Sequence, residues 1–240
     1  MKLTFLGTRG NIDAASRLHR RHSALLVETA AGRALFDCGE DWTGRIEAIM
    51  PDVIFITHAH PDHAAGLKHG APCPVFATAQ TWALIAAYPV REKRVLKPER
   101  PVRRQGLCVR AFPLVHSLRA PAVGFRVATK GGVFFYAPDI VDIVDRKRAL
   151  HGLDLYIGDG ASPLRPLVRR HDGALFGHTT IRAQLGWCAQ ARVQKAIFTH
   201  CGSQIVSADG RRIAGQIRRM GNAAGVDARL AHDGLQIMIP

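Results

Sequence analysis

The sequence predicts an α/β fold on three observations. Apolar, β-branched runs of strand length recur along the chain, separated by Gly/Pro turns or by segments of helix length. Several of these runs break abruptly into His or Asp, which is how a rigid scaffold delivers chemistry from its strand ends. The 240 residues are 47% apolar, enough for a sizeable core, and no break in composition divides them, so one domain over residues 1–240 is expected.

In order, Lys2 to Gly7 reads as a first strand, and Gly7-Thr8-Arg9-Gly10-Asn11 as a polar, glycine-rich loop. Ser23 to Glu28 and Arg33 to Asp37 form a hairpin across Ala30-Ala31-Gly32, closed by Asp37-Cys38-Gly39-Glu40. A short helix over Gly44 to Met50 precedes the strand Val53-Ile54-Phe55-Ile56. A further helix starts near Asp62, a favourable N-terminal residue. Pro74 to Ala77 is a strand, Ala79 to Ala87 a helix, and Arg91 to Arg104 surface with limited strand content. Leu107 to Leu114 is a strand, and Ala122 to Thr129 pairs with Val133 to Tyr136 across Lys130-Gly131-Gly132. Leu153 to Ile157 and Ala196 to Thr199 are the last strands read, with Thr180 to Ala191 the clearest late helix.

The densest chemistry is Thr57-His58-Ala59-His60-Pro61-Asp62-His63. His58 and His60 alternate with a small residue, so extended backbone points both the same way, and Asp62 and His63 follow on the turn. Neutral imidazole and carboxylate are ligands for zinc, manganese or iron. A polar surface loop explains one such histidine better than it explains three and an aspartate after an apolar strand. Asp37, a strand-end aspartate before Cys-Gly, is expected to brace loops through hydrogen bonds rather than to ligate. His19, His22, His69, His151, His171 and His232 lack a strand-end context and are read as surface or structural, with Arg21 and His22 open to a place at a pocket mouth.

The formal net charge of +14 favours polyanionic or phosphorylated ligands. The basic residues fall in four clusters, Arg17 to His22, Arg91 to Arg104, Arg165 to His171 and Arg211 to Arg219, each read first as a solvated face. The five cysteines form no Cys-x-x-Cys pair and are read as reduced thiols. Met1 to Gly7 is too short an apolar run for a signal peptide, and no apolar segment is long enough to span a bilayer. A soluble, cytoplasmic protein with no membrane partner is therefore expected.

The run His58 to His63, followed in order by His116, Asp139 and His200, resembles the ligand series of the metallo-β-lactamase fold superfamily. That resemblance implies a four-layer αββα sandwich with a dinuclear metal site along one edge. It implies that His58, His60 and His116 hold the first metal, Asp62, His63 and His200 the second, and that Asp139 bridges them. Within the superfamily the ribonuclease Z-like branch is most similar, through Leu6-Gly7-Thr8, Arg21 to Val27, Leu35 to Glu40 and Gly177-His178-Thr179-Thr180. By that likeness His178 is a proton donor, and Asp159 of Gly158-Asp159-Gly160-Ala161 stands where the branch carries a glutamate, with a shorter reach. Asp62, Asp159 and His178 are then the catalytic groups.

The expected activity is hydrolysis with two divalent ions as cofactors, zinc by default and manganese or iron as alternatives, that activate a shared water. The first reading is a phosphodiesterase on a small or nucleotide-like phosphate ester. A ribonuclease Z-like tRNA 3′ endonuclease is the alternative, set back because no long arm interrupts the ligand motifs. A thioester or lactone hydrolase of glyoxalase II type shares the ligands but not the Gly-His-Thr-Thr loop. A non-catalytic nucleic-acid-binding module with a structural metal needs fewer ligands than these seven. Expected partners are a phosphorylated small molecule or nucleotide, with nucleic acid and a homodimeric copy left open.

Overall fold

The computed structural model describes residues 1–239. Strands β1 (Lys2–Gly7), β2 (Ala24–Thr29), β3 (Gly32–Phe36), β4 (Val53–Phe55), β5 (Val75–Thr78) and β6 (Lys93–Leu96) belong to a first sheet. Strands β7 (Val102–Arg104), β8 (Leu107–Val115), β9 (Ala122–Ala128), β10 (Val133–Tyr136), β11 (Asp142–Ile143) and β12 (Leu155–Asp159) belong to a second. β13 (Leu167–His171) and β14 (Ala174–His178) pair only with each other, β15 (Lys195–Thr199) and β16 (Asp227–Leu230) complete the second sheet, and β17 (Leu235–Met238) returns to pair with β1. The helices are α1 (Ile46–Ile49), α2 (Pro61–Ala64), α3 (Ala79–Leu84), α4 (Arg146–Leu150), α5 (Ile181–Gln190), α6 (Ser203–Val206) and α7 (Gly210–Ala223).

Side-chain alternation along the strands sorts the apolar residues into layers. Phe36, Phe55 and Leu25 of the first sheet meet Phe125, Phe134 and Tyr136 of the second in one buried cluster. Phe36 stacks on Phe55 at 5.1 Å and meets Phe125 at 5.6 Å. The residues between them point outward: Leu35 and Ile54 lie under Trp42, Ile46 and Trp82, while Phe135 and Tyr156 lie under Leu150, Leu185 and Ile217 of the other helices. Helices, two facing sheets and helices give the αββα sandwich that the ligand motifs implied.

The strand pairings expected from sequence form as read, including Ala122–Ala128 against Val133–Tyr136. The helix bounds need adjustment, whereas the basic run Arg211–Arg219 is the solvated face expected from sequence. The helix expected near Asp62 begins at Pro61 with His60 as its N-cap, and Asp62 is turned into the site instead of capping. The helices expected over Gly44–Met50 and Ala79–Ala87 shorten to Ile46–Ile49 and Ala79–Leu84. The basic run Arg211–Arg219 lies on α7, which buries Ile213, Ile217 and Gly221 as a single stripe and leaves its arginines to solvent.

Within each sheet the site-bearing strands run parallel: β3 with β4, β10 with β12, and β12 with β15. Their carboxyl ends therefore come out at one edge of the sandwich, where ligands gather in open α/β sheets.

Candidate metal centre

The candidate groups gather just beyond strand ends or on their last residues. β4 is buried along its length and hands the chain to His58 and then to α2, while β8 leads to His116, β10 to Asp139 and β15 to His200. His58 and His63 are fully buried, and Asp62, Asp139 and His200 are at most 4% exposed. His200 holds φ +53° and Asp37 φ +59°, left-handed backbone that costs energy in a residue other than glycine and turns each side chain back toward the edge.

The structure brings the seven candidate ligands into two adjoining groups. His58, His60, His116 and Asp139 form one, and Asp62, His63, Asp139 and His200 the other, with ligand atoms in each group within 4.8 Å of one another. Asp139 is common to both. Its Oδ2 lies 3.3 Å from His58 Nε2, 3.3 Å from His63 Nε2 and 3.2 Å from His116 Nε2. Its Oδ1 lies 2.8 Å from His200 Nδ1 but in a direction that makes no hydrogen bond. Asp62 Oδ1, His63 Nε2, Asp139 Oδ1 and His200 Nδ1 are all buried without a hydrogen-bond partner among the described residues. Buried polar atoms are almost always paired, so four that belong to the one group Asp62, His63, Asp139 and His200 fit cation coordination there.

Protonation divides the two groups. Burial drives His58, His60 and His116 down to about 4, leaving them neutral at neutral pH, the form in which imidazole can ligate. Burial acts the same way on His63 and His200, but carboxylates, Asp139 foremost, outweigh it and hold both well above the ordinary histidine value. Asp62 and Asp139 are pushed up by burial, but the neighbouring imidazoles outweigh it and keep both ionised.

Hydrogen bonds behind the candidate groups hold them in place. Asp37, fully buried, takes His63 Nδ1 at 2.9 Å, the Thr57 backbone N–H at 2.8 Å and the Tyr136 hydroxyl at 3.2 Å. This is the bracing role read from its sequence context, and such carboxylate–histidine contacts orient metal-binding imidazoles. Thr57 also reaches His58 Nδ1 at 3.0 Å, and the Gly177 carbonyl holds His116 Nδ1 at 3.0 Å. Thr57 and Tyr136 carry no sequence signal beyond their places at strand ends.

His178, the last residue of β14, donates no ligand atom to either group and instead places Nδ1 2.7 Å from Asp159 Oδ2. Asp159 is fully buried and locked: it accepts from the Ile140 and Ala161 backbone N–H groups at 3.0 and 2.7 Å, and Gln184 bonds its backbone N–H and C=O. Burial lowers the His178 pKa, but Asp159 prevails and raises it above the ordinary value. His178, Leu167, Asn11 and Gln204 join the ligands in the wall of a cavity of about 450 Å³. A larger cleft bordered by Gly44, His69 and Arg91 lies apart from all of these groups. Arg21 and His22 stay out of the cavity wall; Arg21 sits 4.8 Å over the Trp42 ring and His22 beside Asp41 at 2.8 Å.

Comparison with known proteins agrees with this geometry. The family described as beta-lactamase superfamily domain matches residues 32–201. A Ribonuclease Z of Methanococcus maripaludis is 30% identical over 159 residues, 54% of this chain and 50% of that protein, so the chain spans about half the length of this relative. Among solved structures, the metallo-beta-lactamase fold protein YhfI from Bacillus subtilis superposes with a TM-score of 0.73 over 98% of both chains at 16% identity. A diphosphatase from the PhnP family superposes with a TM-score of 0.71 over 98% of this chain and 96% of that one, at 20% identity. At those identities the likeness speaks for the fold.

Proposed function

The chain belongs to the beta-lactamase superfamily, and from that premise we propose that it is a metal-dependent hydrolase whose substrates are phosphodiesters of small or nucleotide-like molecules. The observation that carries this reading is the His178–Asp159 pair at 2.7 Å beside the two ligand groups. With Nδ1 committed to Asp159, the nitrogen left to His178 for a substrate is Nε2, and the anion behind the ring favours a proton there. An alkoxide leaving from phosphorus needs that proton, whereas the thiolate of a thioester leaves readily without it.

His58, His60, His116 and Asp139 would hold one divalent ion, and Asp62, His63, Asp139 and His200 the second, zinc being the default for such ligands with manganese and iron as competitors. Bound there, the ions would supply Lewis acidity, lowering the pKa of water and neutralising phosphoryl oxygens. Asp37, Thr57 and Gly177 hold the imidazoles in place, Asp159 orients His178, and His178 protonates the departing oxygen. Such a positioned acid contributes about 10²–10⁴-fold.

A tRNA 3′ endonuclease is the second reading, favoured by the relative named Ribonuclease Z and by the net charge of +14. A metal-resolved screen of phosphodiester, thioester, lactone and β-lactam substrates separates the classes. The expected result is metal-dependent turnover of bis(p-nitrophenyl) phosphate, abolished in His60→Ala, and of alkyl phosphodiesters, whose turnover also falls in His178→Ala. Turnover confined to acyl substrates, or alkyl phosphodiester turnover indifferent to His178, would overturn the reading.

A further inference from the structure

The hairpin β13–β14 stands outside both main sheets and carries His178 on its last position. Its register places Leu167 opposite His178, Arg169 opposite Phe176 and His171 opposite Ala174. Leu167 and His178 both line the cavity. Side chains two apart on a strand share a face, so Arg169 lies on the cavity side of the hairpin, about 7 Å outward from Leu167, with Phe176 directly across from it.

Phe176 is unlike every other phenylalanine of this chain. The other nine belong to two of the apolar clusters; Phe176 belongs to none and is half-buried on a mostly exposed hairpin. Arg169 is exposed and makes no ion pair or hydrogen bond among the described residues. An aromatic ring and a guanidinium side by side, both without partners, form the platform on which nucleic-acid bases stack. An aliphatic chain would meet the charged Arg169 and the polar His171 along this strip, so it is a poor match.

We propose that the Arg169–Phe176 pair is the subsite for the leaving alcohol, and that this alcohol carries a planar base, as a nucleoside does. The direction rests on the phosphodiesterase reading: the oxygen protonated by His178 departs toward His178, hence onto the face of β13–β14 that follows it outward. The distance between successive side-chain pairs on that face is roughly what a ribose puts between its phosphate and its base.

Adenosine 5′-methyl phosphate tests this within one molecule. Water attack on phosphorus yields either adenosine and methyl phosphate or AMP and methanol, and the two leaving alcohols differ little in acidity, so the product ratio reads which one occupies the His178 side. The metal-loaded protein is expected to release adenosine over methanol by about 10:1. Phe176→Leu, which keeps apolar bulk without a ring, brings the ratio near 1:1, Arg169→Ala lowers it, and Phe176→Trp preserves it. A wild-type ratio near 1:1, an excess of AMP, or a ratio unmoved by Phe176→Leu overturns the assignment. If no phosphodiester is cleaved, the phosphodiesterase reading fails by itself. Calorimetry with adenosine then decides the subsite: binding weakened about tenfold by Phe176→Leu supports it, and unchanged or absent binding overturns it.

Discussion

His178 and Asp159 meet through Nδ1 and Oδ2 at 2.7 Å, joining the end of an exposed hairpin to a carboxylate fixed by backbone and Gln184 contacts in the second sheet. Burial lowers the His178 pKa and Asp159 raises it further, so the folded value sits above 6.5. A general acid works while protonated, so kcat/KM on an alkyl phosphodiester should fall as pH rises through that elevated value. Asp159→Asn removes the anion but not the burial, and the alkaline limb should move to lower pH. A pH–rate profile of both proteins checks the sign; a limb unmoved by Asp159→Asn would detach Asp159 from the acid.

Asp37 serves structure and site together. Asp37→Ala strands the Thr57 N–H, the Tyr136 hydroxyl and His63 Nδ1 in a fully buried place. The expected cost is about 3 kcal/mol of stability, since each stranded buried group costs about 1–3 kcal/mol and some relaxation follows. Metal affinity should fall about 10–100-fold through loss of the His63 brace. Thermal unfolding and metal titration of the variant read the two effects separately.

Gly10 abuts the His200 ring without needing unusual backbone. A Cβ at that position would lie 3.0 Å from His200 Cε1 and 3.2 Å from Nδ1. His200 has little slack, because its own φ is +53° and Asp62 Oδ2 lies 2.9 Å from its Nε2. Gly10→Ala should therefore leave the fold intact and reduce turnover about tenfold or more, as small displacements of reacting groups do. Circular dichroism beside kinetics distinguishes this from unfolding.

The two ligand groups should fill with different pH dependence. Ligands bind metal deprotonated, so a site whose imidazoles hold protons must release them. His58, His60 and His116, at about 4, are already neutral at pH 5, whereas His63 and His200, raised by their carboxylates, are protonated there. As pH falls from 7 to 5, metal content should drop from two ions per chain to one, with the Asp62–His63–His200 group emptied first. Elemental analysis after dialysis at each pH checks the stoichiometry.

The candidate ligand series and the strands that carry it are legible in the sequence because buried strands leave continuous apolar runs and their ends leave His and Asp standing out. α7 is hidden by its composition. It contains Gly210, Gly215 and Gly221, poor helix formers, and its buried stripe needs Gly221 because a Cβ there would meet Ala228 Cβ at 2.5 Å. The β13–β14 hairpin looks like a basic surface loop, since most of its residues are exposed. Yet Asp172-Gly173 at its tip, with φ of 47° and 79°, is a hairpin turn signal present in the sequence. The contacts of Thr57, Tyr136 and Gln184 depend on which strands become neighbours, and local pattern does not carry that information.

Metal titration of the stripped protein, with phosphodiester hydrolysis measured at each step, decides whether the two groups act as a two-metal centre. No turnover is expected without metal, and the rate should rise to a plateau at two equivalents of zinc or manganese per chain, with His60→Ala inactive throughout. A plateau at one equivalent, or full metal loading without hydrolysis of any phosphodiester, would contradict the two-metal phosphodiesterase reading.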